Sequence, residues 1–191
     1  MERNVDMTEI SDGKRYTSND LAKLGCGDCS GCSKCCHGMG ESITLDPYDI
    51  YNLTINLKMT FNELLAESLG LSVKDMIILP HLNLKTEGEG CLFLDENGRC
   101  SIHSFRPGIC RLFPLGRIYE NESFSYFLQI NECVKQNRTK VKIKKWLGIP
   151  NLAAYENYIN TWHYFLKNMK EFLEEQDNEE MSKKINVYIL K

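Results

Sequence analysis

Cys26-Gly27-Asp28-Cys29-Ser30-Gly31-Cys32-Ser33-Lys34-Cys35-Cys36 holds five of the nine cysteines of the chain within eleven residues. Cys26, Cys29, Cys32 and Cys35 are each separated by two residues, so their thiols are spaced to converge on a metal. The intervening residues are mostly small and turn-forming. They let the backbone bend around a centre and aim amide N–H groups at sulfur. Such a loop has almost nothing apolar to bury, so its order depends on its ligand. Thiols that pair as disulfides or stay unligated are the alternative, and this spacing disfavours it.

Cys36 directly follows Cys35. Neighbouring side chains diverge and seldom close one tetrahedral site together, which points to two metal centres or to one polynuclear cluster. Cys26, Cys29, Cys32 and Cys36 also have the C-x2-C-x2-C-x3-C spacing of a bacterial ferredoxin. His37 stands where the ferredoxin proline would be, and no second run of this kind occurs.

Outward from this run, 191 residues with 42% hydrophobic content suffice for one domain with a substantial core. The net charge of -3 gives no general pull toward nucleic acid or an anionic membrane. The first twenty residues carry no apolar leader, and no stretch reaches membrane-spanning length. The expected location is therefore the cytoplasm, where thiols stay reduced and clustered cysteines favour metal over disulfides.

The pattern predicts an α+β fold, a small cysteine-rich, metal-stapled domain with short hairpins and several helices. Residues 1–25 read as a flexible N-terminal arm, 26–133 as the cysteine-cluster metal-binding domain, and 134–191 as a helical C-terminal extension packed on it. Asp46-Pro47 opens one helix, Thr60-Phe61-Asn62-Glu63 caps a second that Gly70 would end, and a third short helix is expected from Ser72. Cys91–Leu94 and Cys100–His103 read as a hairpin around Asn97-Gly98, and Arg117–Tyr119 with Phe124–Phe127 as another. Leu152, Tyr155, Ile159, Trp162, Leu166, Met169 and Leu173 recur on one face of a long amphipathic helix, read as a core-covering element. Ile185–Lys191 reads as an edge strand.

Cys91, Cys100, Cys110 and Cys133 are the distal half of the cysteine set. Joined to the proximal run, they would staple more than half of the chain, and structural metal can contribute on the order of 10 kcal/mol to such a module. The metal ligands expected from sequence are Cys26, Cys29, Cys32, Cys35, Cys36, Cys91, Cys100, Cys110 and Cys133. His37 and His103 could complete a mixed site, but enough thiolates are present without them, whereas His81 and His163 read as structural. Arg106 and Arg111 flank Cys110 and could offset the charge of an anionic centre, or simply make ordinary turn and surface pairs.

In these residues the chain resembles the YkgJ-like CxxCxxCC family, described as zinc- or iron-chelating domains and often labelled Fe–S oxidoreductases. Cys29, Cys32, Cys35 and Cys36 fit the name-giving motif. Cys91, Cys100, Arg106-Pro107, Cys110-Arg111 and Phe113-Pro114 fit the downstream C…C…RPxxCRxFP pattern. The resemblance implies a chelating domain over roughly residues 26 to 133. Cys26 is an addition to the motif, and Cys133 matches it loosely. The family is also similar to flagellin lysine N-methylases, although this chain shows no glycine-rich loop for a methyl donor.

Two functions are expected. The first is an iron–sulfur protein that transfers electrons or supports a modification reaction, which the ligand pattern favours. The second is a zinc-stapled structural or macromolecule-binding module. No catalytic acid–base constellation stands apart from the cysteines, so an enzymatic role is left open. The partner would be a redox protein or another protein, with no membrane and no nucleic acid indicated. The basic run Lys135, Arg138, Lys140, Lys142, Lys144 and Lys145 reads as a solvated face that could also dock an acidic partner.

Overall fold

The computed structural model describes residues 6–27, 32–85, 90–135, 137–176 and 178–190. In chain order the elements are α1 (Met7–Ile10), β1 (Leu21–Gly25), a 3-10 turn at Lys34–Cys36, α2 (Pro47–Leu57), α3 (Phe61–Glu67), β2 (Leu69–Lys74) and β3 (Ile77–Leu82). A second 3-10 turn at His103–Phe105 leads to α4 (Gly108–Leu112), β4 (Leu115–Glu120), β5 (Ser123–Leu128), β6 (Thr139–Lys142), α5 (Ile143–Leu147), α6 (Leu152–Gln176) and α7 (Glu179–Ile189). The class is α+β, as the sequence predicts, with antiparallel pairs β1–β6, β2–β3 and β4–β5.

The largest core packs Ala22 and Leu24 of β1 against Leu115 of β4, Tyr126 and Leu128 of β5, Ile143 and Leu147 of α5, and Tyr155 and Ile159 of α6. Residues ahead of the cysteine run, read from sequence as a flexible arm, are built into this core. Tyr16 exchanges both backbone hydrogen bonds with Tyr126, at 2.9 Å each, and β1 pairs antiparallel with β6, with one register shift between Lys23 and Gly25. The reason is alternation: Ala22 and Leu24 point inward while Leu21 and Lys23 face out, a period-two pattern hidden in a polar segment.

A second core, built from Leu45, Leu53, Leu64, Leu69, Leu82, Cys91 and Ile102, lies beneath the cysteines. Its helices begin where the sequence signals place them. Asp46 caps α2 with Pro47 at the first helical position, and Thr60 caps α3, each in a reciprocal capping box. The third helix expected from Ser72 is instead the β2–β3 hairpin. Asp75 and Met76 take positive φ values of 49° and 66°, which gives the tight turn the twist that antiparallel strands require. Gly70 does not end α3. Ser68 does, and Gly70 lies in β2 against the ring of His81, where a Cβ would have no room.

The β4–β5 hairpin and the long α6 stand as expected. The C-terminal segment does not add a strand. It forms α7, capped by Asn178 and supported by the Lys183–Glu179 and Lys184–Glu180 pairs at i, i+4. Asn186 of α7 is buried and grips β3: its Oδ1 accepts from the Ile78 amide at 2.6 Å, and its Nδ2 donates to the Met76 carbonyl at 3.3 Å. Leu173 of α6 joins Ile77 and Leu79 of β3 in the third core beside it.

Candidate metal centre

Cys35 and Cys36 sit in the first 3-10 turn, closed by the Cys36 amide donating to the Ser33 carbonyl at 2.8 Å. The Cys91 amide then donates to the Cys36 carbonyl at 2.7 Å, and His37 forms a β-bridge with Gly90. These contacts join two segments more than fifty residues apart. Cys91 and Cys100 were expected on paired strands. The structure gives a shorter device, a single bridge between Leu94 and Cys100. Asp95 closes it by accepting the amides of Asn97 and Arg99 at 2.9 and 2.8 Å, a local bond that competes with a longer ladder.

Cys110 is carried on α4, and α4 is fixed from two sides. The Gly108 amide donates to Asp49 Oδ1 at 2.8 Å, so the second carboxylate of the α2 capping box also anchors the cysteine loop. The Tyr155 hydroxyl of α6 closes against Gly108 so tightly that an added Cβ would collide with it. Arg111, one residue after Cys110, donates from Nε to the Arg106 carbonyl at 3.1 Å. It also donates to the carbonyls of Ser104 and Leu147, the latter at 3.5 Å, and so ties the loop to α5.

The thiols of Cys35, Cys36, Cys91, Cys100 and Cys110 share one electrostatic neighbourhood. A hydrogen bond from the Cys36 thiol lowers Cys35 to about 6, assisted by the Arg106 guanidinium, so Cys35 is largely thiolate at neutral pH. Cys36 moves the opposite way because it holds the shared proton and is partly buried. Burial raises Cys91, Cys100 and Cys110, and Arg106 opposes this at Cys100 and Cys110. Among the described residues, Arg106 Nε is a buried N–H with no hydrogen-bond acceptor, while its Nη1 contacts the His103 ring.

Cys29 lies outside the described residues. Cys26 directly follows β1, Cys32 is half-buried just ahead of the 3-10 turn, and Cys133 is half-buried between β5 and β6. Among the described residues no group of three or more His, Cys, Asp or Glu side chains is placed to hold a metal ion. By residue type these thiols nevertheless suit a thiophilic metal, and Arg106, with its open Nε–H, acts on Cys35, Cys100 and Cys110. Sequence reasoning missed the supports Asp49 and Tyr155. The Asp46-x-x-Asp49 spacing signals a capping box, but nothing in the sequence signals the link to Gly108.

The model of a family named CxxCxxCC, described as "Putative zinc- or iron-chelating domain", matches residues 28–145. The chain belongs to this family. The CxxCxxCC match takes in every cysteine except Cys26, and its description supports metal binding without choosing between zinc and iron. No solved structure matches the chain. Among the described residues no helix is long and apolar enough to cross a membrane.

Proposed function

We propose that Cys35, Cys36, Cys91, Cys100 and Cys110 hold an iron–sulfur centre, with which the protein transfers electrons or supports a modification reaction. The observation that carries this reading is that Cys35, Cys36, Cys91, Cys100 and Cys110 act on one another electrostatically, with the Arg106 guanidinium acting on Cys35, Cys100 and Cys110. A closed zinc shell takes four thiolates. Five donors, two of them adjacent in sequence, suit a polynuclear centre or a pair of sites better. When bound, such a centre supplies one-electron redox chemistry. The chain's own residues would hold and tune it. Cys35 is ready to ligate near neutral pH, Arg106 would offset negative charge, and its open Nε–H is a donor of the kind that shifts a potential. Cys26, Cys29, Cys32 and Cys133 are the remaining thiols available to complete the ligation.

The second reading is a zinc staple. It is favoured by the half-buried Cys36 and Cys100 and the buried Cys91, which pack into the second core and would fix its loops without redox chemistry. Purification without oxygen, followed by measurement of iron, acid-labile sulfide and zinc per chain, separates the two. Iron with matching sulfide and visible absorption supports the first reading. Stoichiometric zinc without sulfide sinks it.

A further inference from the structure

The sequence places a basic run at residues 135–145, and the structure gives part of it a shape that the run alone does not show. β1 and β6 pair antiparallel, with Leu21 opposite Lys142 and Lys23 opposite Lys140. Ala22 and Leu24 face the core, so Leu21, Lys23, Lys140 and Lys142 share the outer face, and all four are exposed. Lys23, a lone cation in the sequence, thus joins the basic run through strand pairing. Lys144 and Lys145, both exposed, follow at the start of α5.

Among the described residues, Lys23, Lys140, Lys142, Lys144 and Lys145 form no ion pair. The adjoining acids are engaged elsewhere. The Asp20 carboxylate accepts from the Thr17 amide and hydroxyl at 2.7 and 2.8 Å, and Glu156 accepts from the Tyr126 hydroxyl at 2.9 Å. Lysines blunt exposed strand edges against aggregation, which accounts for some of them. It does not account for Lys23 directly opposite Lys140, an arrangement that destabilises the ribbon it sits on. The chain as a whole is acidic, with a net charge of -3, so this cationic face is a local departure.

We infer that the outer face of the β1–β6 ribbon docks an extended acidic segment of another protein. Lys140 and Lys142 lie two residues apart on one face, which sets their spacing at about 7 Å, the interval between alternate side chains of an extended peptide. Carboxylates at every second position therefore meet the lysines in register, and Leu21, 53% exposed at the end of the row, offers an apolar contact beside them. A nucleic acid fits less well. The outer face of β1 and β6 presents no aromatic ring for base stacking. Because Gly25 pairs with Thr139 and Cys26 comes next, the docked segment ends beside the proximal cysteine run. This inference does not depend on which metal the cysteines hold.

The test uses the full metal-loaded chain and a fluorescent peptide of alternating Glu and Thr, followed by anisotropy. The peptide should bind saturably at low salt and weaken as salt rises. K140Q/K142Q should lose about tenfold in affinity, with K23Q adding a further loss. K183Q/K184Q removes the same charge from α7 and should leave binding within about twofold of the wild type. Circular dichroism and metal content equal to the wild type show that each variant is folded. Absence of saturable binding, an equal loss in both double variants, or tighter competing binding by a single-stranded oligonucleotide would each overturn the inference.

Discussion

Replacing Arg111 tests how the Cys110 loop is held. Its guanidinium serves three carbonyls, those of Ser104, Arg106 and Leu147, from one side chain. The Leu147 contact at 3.5 Å is at the limit of a hydrogen bond and contributes little. Two charge-assisted bonds remain, each worth about 1.5–3 kcal/mol when buried and less here, because Arg111 is only half-buried. Arg111→Met keeps much of the stem and removes both bonds, so it should cost about 2–3 kcal/mol in urea denaturation of the metal-loaded protein. Arg111→Lys can reach only one of these carbonyls and should recover about half of that loss. Because the bonds hold a loop rather than the whole core, local opening should also speed extraction of the metal by a chelator, by roughly thirtyfold for 2 kcal/mol. A methionine variant within about 0.5 kcal/mol of wild type, or metal release at the wild-type rate, would show that the loop is held by something else.

The remaining predictions concern the supports and the far end of the molecule. Gly108→Ala drives a methyl group into the Tyr155 hydroxyl and should cost about 1–3 kcal/mol, partly relieved in combination with Tyr155→Phe. Thermal denaturation of the double-mutant cycle reads this, and strict additivity would refute it. Burial, then the neighbouring Asp46 carboxylate, push Asp49 from 3.8 up to about 8. The folded chain therefore binds this proton more tightly than the unfolded chain. The stability so gained is complete below the unfolded pKa and is lost as pH rises toward 8. Asp49→Asn should flatten the decline of Tm between about pH 4 and 8, and parallel slopes for both proteins would contradict the assignment. Asn186→Leu leaves the Ile78 amide without its acceptor and should cost about 1–3 kcal/mol. Hydrogen exchange at Ile78 should quicken, and unchanged protection there would show that α7 is not what holds β3 in place.

Local signals carried well from sequence to structure. Asp46-Pro47 and Thr60-x-x-Glu63 begin helices where capping chemistry requires, and the three- and four-residue recurrence from Leu152 to Leu173 is one helix. What could not be read were partnerships between distant segments. The stretch from Ser72 reads as a helix on local signals, yet it pairs with β3, a partner that no local pattern announces. Ile185 to Ile189 has β-branched side chains and still forms a helix, because the nearest role for it is to cap β3 through Asn186 rather than to pair with an edge. In the site, the cysteines and the Arg106-Pro107 and Cys110-Arg111 pairs were legible as motifs. The Cys36–Cys91 backbone bond and the Asp49–Gly108 anchor were not, since both depend on packing across more than fifty residues.

The pairing of β1 with β6 bears on how the protein is made. One strand ends just before Cys26 and the other begins after Cys133, so every cysteine lies inside a loop whose two ends are this ribbon. Closing so long a loop costs only slightly more entropy than closing a shorter one, because the cost grows with the logarithm of length. The timing differs greatly. On the ribosome, which adds roughly 5–20 residues per second, the loop cannot close until Lys142 has emerged. Cys26 through Cys36 are by then exposed for several seconds, with the core beneath them unfinished. The proximal cysteines are therefore made well before the strand that closes the loop around them.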